Sequence, residues 1–467
     1  MLTYDLEQAT GPLYQYIYQC LKDDIMTGGL QAGDKLPSKR TFARNHGIST
    51  ITIQNAYDQL ISEGYIYTVP KKGYYVAKIR GMRQVPKETN LSLNIQRQEK
   101  KVEYAVDLSD NRMSPERFPF TVWAKIGREI MSDHKSELME PSPAGGARAL
   151  REAVAEHLKS YRAMLVDPDQ IVVGAGTEYL YSLLVQLLAP RSTYCLEDPG
   201  YKKIAQVYKR CGVICRYGRL DDQGITVDSL KRSGADIAHI SPNHHFPTGI
   251  TMPASRRYEV LAWANEKEGR YLIEDDYDSE FRLGGRPVPT LFSIDACEKV
   301  IYMNTFSKSL TPTIRISYMV LPVHLANRFY EELSFYSCTV SNFEQYTLAA
   351  FIKQGYFEKH INRMRLYYAR QRQKIKEVLE KGAPGLPCEI RENDSGLHFL
   401  LHLKTDLTDR EVVKKLAEQG VRVHALSEYY TKKQGEEHFF IINYSNLDVE
   451  KAAAAMEIIA DVTGGKL

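Results

Sequence analysis

The stretch that decides the fold is Asn304-Thr305-Phe306-Ser307-Lys308-Ser309-Leu310, a lysine among small polar residues. It follows Val300-Ile301-Tyr302-Met303, an apolar run that predicts a short buried strand. Another apolar run, residues 271–273, leads into the acidic stretch 274–280. Two adjacent strand ends would hold an acid and the Lys308 amine in one pocket. Since desolvation disfavours an ammonium, we expect Lys308 to be a neutral amine that forms a Schiff base with an aldehyde.

Pyridoxal phosphate is the aldehyde that this arrangement predicts, because nearby side chains match the needs of that cofactor. Asp275 is expected at the ring nitrogen and Tyr277 at the ring hydroxyl, since residues two apart on an extended segment face the same side. The expected phosphate ligands flanking the lysine are Thr305, Ser307 and Arg315.

A third segment completes the predicted site. Residues 170–174 predict a strand, and Gly176 and Thr177 open a helix whose leucines recur with helical spacing. The free amides at that helix start, the close approach allowed by Gly176 and the Thr177 hydroxyl suit a phosphate. Taken alone, the lysine segment is more typical of a surface loop, the acidic stretch of a solvated turn or a divalent-ion site, and the strand-glycine-helix segment of any α/β protein. The prediction depends on their combination in this order.

Three motifs resemble fold-type I aminotransferases and, more narrowly, the MocR regulators: SPNHHFPTG at 241–249, EDDYDSEF at 274–281 and TFSKSL at 305–310. The resemblance implies an α/β fold, with a mostly parallel sheet covered by helices on both faces over residues 104–325. A small C-terminal α/β domain is expected over residues 326–467. By the same resemblance Tyr201 would stack on the cofactor ring, the alternative being a core tyrosine.

Length and composition set outer limits. The 467 residues suggest two to four domains, and the chain contains no apolar run of the length that spans a membrane. The start lacks the character of a signal peptide, so we expect a cytoplasmic protein. Seven scattered cysteines are expected to be reduced thiols, and the histidines show no metal-binding spacing, so no metal is expected.

The N-terminal fifth is the basic part, with 14 Lys and Arg against 9 Asp and Glu in residues 1–101. Residues 12–62 predict three helices, the second capped by Ser38 and the third by Ser49. Residues 65–69 and 73–76 predict a hairpin with a basic tip. Residues 78–103 lose the hydrophobic periodicity and predict a linker.

Residues 1–77 resemble the GntR winged helix-turn-helix domain, which implies binding to a double-stranded DNA operator. Many members carry an arginine directly after the capping serine where this chain has Thr50, so the base preference does not carry over; a protein-binding module is the alternative. The expected DNA contacts are Lys39, Arg40 and Arg44 on phosphates, Thr50, Thr52, Gln54 and Asn55 on bases, Ser49 at the helix start, and Lys71 and Lys72 in the wing.

The positions expected to meet an effector depart from amino-acid-sensing relatives, in which two arginines bind the ligand carboxylate. This chain has Lys203 and Asn446 there, and neither forms a bidentate bond. The sequence therefore favours a homodimeric, pyridoxal phosphate-dependent regulator without enzymatic turnover that responds to pyridoxal phosphate and controls vitamin B6 synthesis. The alternatives are an amino-acid-sensing regulator, an active aminotransferase, and an inactive domain that only dimerises.

Overall fold

The computed structural model describes residues 2–79, 102–188, 192–283, 288–381, 388–391, 396–432 and 437–464. The chain divides into two compact units, Met1–Lys101 and Val102–Leu467. Most of the predicted linker, residues 80–101, lies outside the described residues. Within the described ranges, no helix has both the length and the apolar character needed to cross a membrane.

The first unit is a three-helix bundle with a small antiparallel sheet. Its elements are α1 (Leu13–Thr27), β1 (Lys35–Leu36), α2 (Lys39–His46), α3 (Thr50–Ser62), β2 (Ile66–Val69) and β3 (Gly73–Val76), with strand order β1-β3-β2. The order of helices and the β2–β3 hairpin confirm the predicted winged helix-turn-helix.

Local sequence explains where these helices begin. The Ser38 hydroxyl accepts a hydrogen bond from the Thr41 amide (3.2 Å), and the Ser49 hydroxyl accepts one from the Thr52 amide (3.1 Å). Both predicted caps are therefore present. Helix α3 buries Ile53, Leu60 and neighbouring apolar residues against α1, which leaves its opposite face in solvent.

The second unit alternates strands and helices over most of its length. Its helices are α4 (Phe120–Asp133), α5 (Lys135–Met139), α6 (Arg148–Arg162), α7 (Thr177–Leu187), α8 (Lys202–Arg210), α9 (Val227–Ser233), α10 (Ala254–Asn265), α11 (Leu291–Ile294), α12 (Phe306–Ser309), α13 (Val323–Glu332), α14 (Asn342–Lys353), α15 (Tyr356–Lys381), α16 (Asp409–Glu418) and α17 (Val449–Thr463).

Its strands are β4 (Val106–Asp107), β5 (Ile171–Gly174), β6 (Thr193–Asp198), β7 (Ile214–Asp221), β8 (Gly224–Ile225), β9 (Ile237–Ile240), β10 (Tyr271–Asp275), β11 (Val300–Thr305), β12 (Ser317–Val320), β13 (Cys388–Arg391), β14 (His398–Leu403), β15 (Val421–Arg422), β16 (His424–Ala425) and β17 (Phe439–Asn443).

The main sheet has eight strands in the order β5-β12-β11-β10-β9-β6-β7-β8. The pairs β11–β10, β10–β9, β9–β6 and β6–β7 are parallel, while β12 and β8 are antiparallel to their neighbours. Strands β9 and β11 are buried along their whole length, as expected for a sheet covered on both faces. The predicted fold class is confirmed.

We call β5–β12 with α6–α14 the large lobe, and β4, β13–β17 and α15–α17 the small lobe. The small lobe contains an antiparallel sheet in the order β13-β14-β17-β16, and β4 pairs in parallel with β15. The expected domain boundary after residue 325 falls inside α13, where Leu325 and Phe329 are buried in the same core as α7. This helix therefore packs with the large lobe.

Candidate functional site

A cavity with a volume of about 730 Å³ lies at the carboxyl ends of the central strands. The small-lobe residues Tyr429, Tyr430 and Thr431 form part of its wall. The predicted site residues that line it are Thr177, Tyr201, Lys203, Asp275, Tyr277, Thr305, Ser307, Lys308 and Arg315. The predicted site residues, up to 138 positions apart in the sequence, thus meet around one space.

Lys308 reaches the cavity because β11 ends at Thr305 and a single helical turn, α12, follows. Burial lowers the pKa of the Lys308 ammonium, and the carboxylates of Asp278 and Asp110 oppose that shift. The neutral amine is therefore more abundant than in an exposed lysine. This is the property that a nucleophilic lysine requires.

Asp275 is a buried carboxylate at the end of β10. Its Oδ2 accepts a hydrogen bond from the Tyr181 hydroxyl (2.8 Å) and lies 3.3 Å from Nε2 of His239, whose Nδ1 is 2.8 Å from the Tyr208 hydroxyl. Its Oδ1 is buried without a hydrogen-bond partner among the described residues. An unsatisfied buried acceptor beside the cavity suits a ligand that brings a donor, such as a protonated ring nitrogen.

Tyr277 and Tyr201 face the cavity in different environments. The Tyr277 hydroxyl lies 3.1 Å from Nδ1 of His244, which also contacts Asp278 at 2.7 Å. Burial raises the pKa of Tyr277 well above its ordinary value, so the phenol keeps its proton. Tyr201 is 49% exposed and meets Phe246 edge-on. The Tyr201 ring is therefore partly open to a ligand in the cavity.

The expected phosphate ligands converge on the start of α7. Thr177 begins the helix, and the Arg315 guanidinium donates to the Ala175 carbonyl at 3.2 Å. A Cβ added to Gly176 would clash with that guanidinium, so the glycine allows Arg315 to approach the helix start. The Thr305 hydroxyl is engaged inside the protein, where it accepts from Ser317 at 2.8 Å.

Sequence reasoning missed several residues of this cavity. Tyr181 lies one turn after Thr177, so helical spacing was an available signal for it. His239 lies in a fully buried strand, where the sequence does not distinguish a ligand neighbour from a core residue. Glu178 was also missed, although it forms ion pairs with both Lys203 and Arg315.

The two expected effector positions are already engaged. Lys203 pairs with Glu178, while the Asn446 amide donates to Asp110 at 2.9 Å. Lys203 lines the cavity, whereas Asn446 is not among the residues of its wall. The structure therefore brings one of the two to the cavity and holds the other beside it.

A small-lobe segment closes one side of the cavity. The Asp198 carboxylate accepts hydrogen bonds from the Thr431 amide (2.8 Å) and the Thr431 hydroxyl (2.7 Å), and the Gly200 amide donates to the Tyr429 carbonyl (3.3 Å). These contacts join the two lobes next to Tyr201. Access to the cavity thus depends on how the lobes meet.

On the first unit, most of the expected DNA contacts lie at the surface. The exposed ones are Arg40, Arg44, Thr50, Gln54, Asn55, Lys71 and Lys72. Lys39 is half-buried, and its ammonium lies 5.6 Å from the centre of the Tyr74 ring. The hydroxyls of Ser49 and Thr52 are 2.8 Å apart and engage each other at the cap. These two serve the helix start itself.

Ile51 is a surface residue of α3 that sequence reasoning did not single out. Its side chain is 70% exposed on the second residue of the helix, one turn before Asn55. An isoleucine that takes no part in the inward-facing helical pattern was the available signal.

Comparison with known proteins identifies both units. Residues 13–76 match the bacterial regulatory proteins of the gntR family, and residues 104–459 match aminotransferase class I and II. The chain belongs to the aminotransferase class I and II family. With the gntR-family domain in front, it has the MocR-type architecture. Members of the aminotransferase class I and II family depend on pyridoxal phosphate.

Similar proteins include named transcriptional regulators. The chain is 36% identical to the uncharacterized HTH-type regulator YdeL of Bacillus subtilis over 90% of each chain. It is 29% identical to the probable rhizopine catabolism regulatory protein MocR of Rhizobium meliloti, covering 96% of this chain and 93% of the relative. It is also 29% identical to the pyridoxine biosynthesis regulator PdxR of Corynebacterium glutamicum, covering 87% and 86%.

The fold is shared with solved aminotransferases. The multiple substrate aminotransferase of Thermococcus profundus matches with a TM-score of 0.69 at 23% identity, covering 78% of this chain and 92% of that one. Among the described residues, no group of three or more His, Cys, Asp or Glu side chains is placed to hold a metal ion.

Proposed function

We propose that this chain is a transcriptional regulator that binds pyridoxal phosphate at Lys308 and changes its affinity for an operator in response. The observation that carries the proposal is the cavity in which an amine of lowered pKa, a buried carboxylate with an unpartnered oxygen and a cation over a helix start come together. These groups fit the aldehyde, ring nitrogen and phosphate of that cofactor.

Each side chain has a distinct role in holding the cofactor. Asp275, oriented by Tyr181 and His239, would keep a proton on the ring nitrogen, while the protonated Tyr277 would donate to the ring hydroxyl. Arg315 and the α7 amides would bind the phosphate. When bound, pyridoxal phosphate supplies an aldehyde that reacts with amines and an electron-withdrawing ring.

Trapping with borohydride tests this assignment. Incubation with pyridoxal phosphate followed by reduction is expected to add one pyridoxyl phosphate mass to a peptide that contains Lys308. A mass fixed on another lysine, or on none, would contradict the assignment.

We infer operator binding through α3 and the wing of the first unit. Thr50, Gln54 and Asn55 are free to reach base edges, and Ile51 supplies an apolar contact for a thymine methyl group. Arg40, Arg44, Lys71 and Lys72 bind backbone phosphates. A gel shift with the DNA upstream of its own gene tests this, since specific binding should survive competitor DNA.

A homodimer is proposed because two reading heads would recognise a two-part operator. Large apolar side chains are exposed on the second unit, with Met139 at 73%, Phe335 at 74% and Phe343 at 40%. Asn342 donates to the carbonyls of Glu137 and Glu140. The segment around Met139 and the segment around Phe343 therefore lie side by side. Such a surface suits a second copy of the chain.

We propose pyridoxal phosphate itself as the signal, and vitamin B6 synthesis as the regulated process. Two points support this over an amino acid: neither Lys203 nor Asn446 offers a bidentate cation, and both already have a partner. The similar regulator PdxR is named for pyridoxine biosynthesis.

Operator titrations distinguish the two signals. Pyridoxal phosphate is expected to shift operator affinity, whereas γ-aminobutyrate and common α-amino acids are expected to leave both the cofactor absorbance and the operator affinity unchanged. An amino acid that changes the absorbance at micromolar concentration would favour the amino-acid sensor.

The pKa of Lys308 predicts how cofactor attachment depends on pH. Attachment requires the neutral amine, so its rate should rise with pH and level off above a midpoint lower than that of an exposed lysine. Asp110→Asn should move the midpoint to still lower pH, because the Asp110 carboxylate raises the pKa of Lys308. The amount of borohydride-trapped mass at fixed times, measured across pH, gives both midpoints.

A further inference from the structure

Glu178 lies between two cations that belong to different parts of the cavity. Its Oε2 is 2.6 Å from Nη2 of Arg315, and its Oε1 pairs with the ammonium of Lys203. Burial alone would raise the pKa of Glu178, but the hydrogen bonds from Lys203 and Arg315 lower it to about 2. Glu178 is therefore ionised at any physiological pH.

This carboxylate is placed where an incoming phosphate would be held. Glu178 is the second residue of α7, and Arg315 sits over the helix start next to Gly176. The guanidinium nitrogen that pairs with Glu178 also donates to the Ala175 carbonyl at 3.2 Å. A phosphate bound by Arg315 and the first α7 amides would carry like charge close to Glu178, so the two anions compete for one guanidinium.

We propose that Glu178 is an internal competitor of the cofactor phosphate, which releases Arg315 when the phosphate binds and retains Lys203 as its partner. The inference rests on the proposed function, since it takes the phosphate of pyridoxal phosphate as the ligand of Arg315. Glu178 acts through Arg315 and is a positioning residue.

Two consequences follow for ligand selection. A phosphate, with more charge than a carboxylate, displaces Glu178 more readily than a weak anion does. Once Arg315 has turned to the phosphate, Lys203 is the remaining cation of Glu178 and is less available to the carboxylate of an effector. Lys203 thereby influences cofactor affinity without touching the cofactor, because it draws Glu178 away from Arg315.

A double-mutant cycle on pyridoxal phosphate affinity tests the proposal. Glu178→Gln should tighten binding by about two- to fivefold, the range expected for losing one partly exposed ion pair. Lys203→Gln should weaken binding by a similar factor, because Glu178 then holds Arg315 alone. In the Glu178→Gln background, Lys203→Gln should have no further effect.

Two outcomes would overturn the proposal. If Lys203→Gln weakens binding equally in both backgrounds, Lys203 contacts the phosphate directly and Glu178 does not mediate its effect. If Glu178→Gln leaves the affinity unchanged or lowers it, the carboxylate does not compete.

Matched controls separate this effect from a general change of charge. Pyridoxal, which lacks the phosphate, should bind all four proteins equally. Glu152→Gln removes a carboxylate that likewise pairs with two cations, Arg148 at 3.0 Å and Lys353 at 3.3 Å, on a different surface, and it should leave cofactor affinity unchanged.

Inorganic phosphate distinguishes failure of this inference from failure of the proposed function. If the wild-type chain binds no pyridoxal phosphate, the proposed function fails. Calorimetric titration with inorganic phosphate still reports on the competition, since Glu178→Gln should bind it more tightly than wild type. Equal phosphate affinities would overturn the role of Glu178.

Discussion

The cations of the two units differ in whether a carboxylate already holds them. Within the described residues of the first unit, Lys22 forms an ion pair with Glu63. No ion pair is formed there by Arg40, Arg44, Lys71 or Lys72. In the cavity of the second unit, Lys203 and Arg315 share Glu178.

This difference separates two ways of binding an anion. Unpaired surface cations attract any polyanion by releasing counterions, so the affinity they provide is large, sensitive to salt and indifferent to base sequence. Paired cations bind an anion only by exchange, which favours a ligand that offers more than the carboxylate it displaces. The first unit is suited to finding DNA and the cavity to selecting one small molecule.

Loss of the nucleophile should produce the largest effect. Lys308→Ala is expected to abolish the mass fixed by borohydride, because Lys308 is the amine that follows β11 into the cavity and its pKa is lowered by burial. Lys202, another lysine of the cavity wall, provides the matched control, and Lys202→Ala should leave the fixed mass in place. A Lys308→Ala protein that still gains the mass would show that attachment does not depend on this site.

The next largest effect is expected from salt, which should change operator affinity far more than cofactor affinity. Between about 50 and 200 mM salt, operator affinity should fall by roughly a thousandfold, the loss typical of proteins with several phosphate contacts, whereas cofactor affinity should change little. Arg40→Ala should reduce the slope of log affinity against log salt by about one. Fluorescence anisotropy with labelled operator measures these slopes, and similar salt dependence at both sites would remove the contrast.

Removal of the Arg315 guanidinium from the cavity should have an intermediate effect. Arg315→Ala is expected to weaken cofactor binding by about 1.5 to 3 kcal/mol, roughly ten- to a hundredfold, through loss of a charge-assisted phosphate contact. Equilibrium dialysis gives the affinity, and pyridoxal serves as the reference ligand. If pyridoxal and its phosphate lose affinity equally, Arg315 supports the pocket but does not bind phosphate.

The smallest expected effect belongs to Ile51. Replacing a contacted thymine by uracil removes one methyl group, worth about 0.8 kcal/mol of burial, or roughly two- to fourfold in affinity. Ile51→Ala should make the protein indifferent to that replacement while it keeps its affinity for non-specific DNA. A scan of single thymine-to-uracil changes locates the position, and a scan in which wild type and Ile51→Ala respond alike would contradict the contact.

Patterns local in the sequence were the predictable part of this molecule. The caps by Ser38 and Ser49, the helix after Gly176 and the strands that end at Asp275 and before Lys308 follow from spacing and residue type. Asp275 and Lys308 were expected in one cavity because parallel strands present their carboxyl ends at the same edge of a sheet.

Long-range pairings were not predictable. Glu178 occupies an ordinary half-buried position of an amphipathic helix, and its partners lie 25 and 137 residues away. Strand β4 pairs with β15, which lies more than 300 positions further along the chain. Each of these strands has only two residues in the pairing, which is too short to produce a periodic signal in the sequence. The sequence of α13 does not reveal which lobe covers its apolar face, and the expected boundary at residue 325 falls within this helix.

The short strand β4 lies far in the sequence from β15, the strand with which it pairs. Val106 donates to the Gly420 carbonyl (3.1 Å), Leu108 donates to the Arg422 carbonyl (2.9 Å), and Asn443 donates back to the Leu108 carbonyl (2.8 Å). These three main-chain bonds fasten the start of the unit to the small lobe. The small lobe is therefore built from two separate stretches of the sequence, and a shortened chain that begins after Leu108 would lack one edge of it.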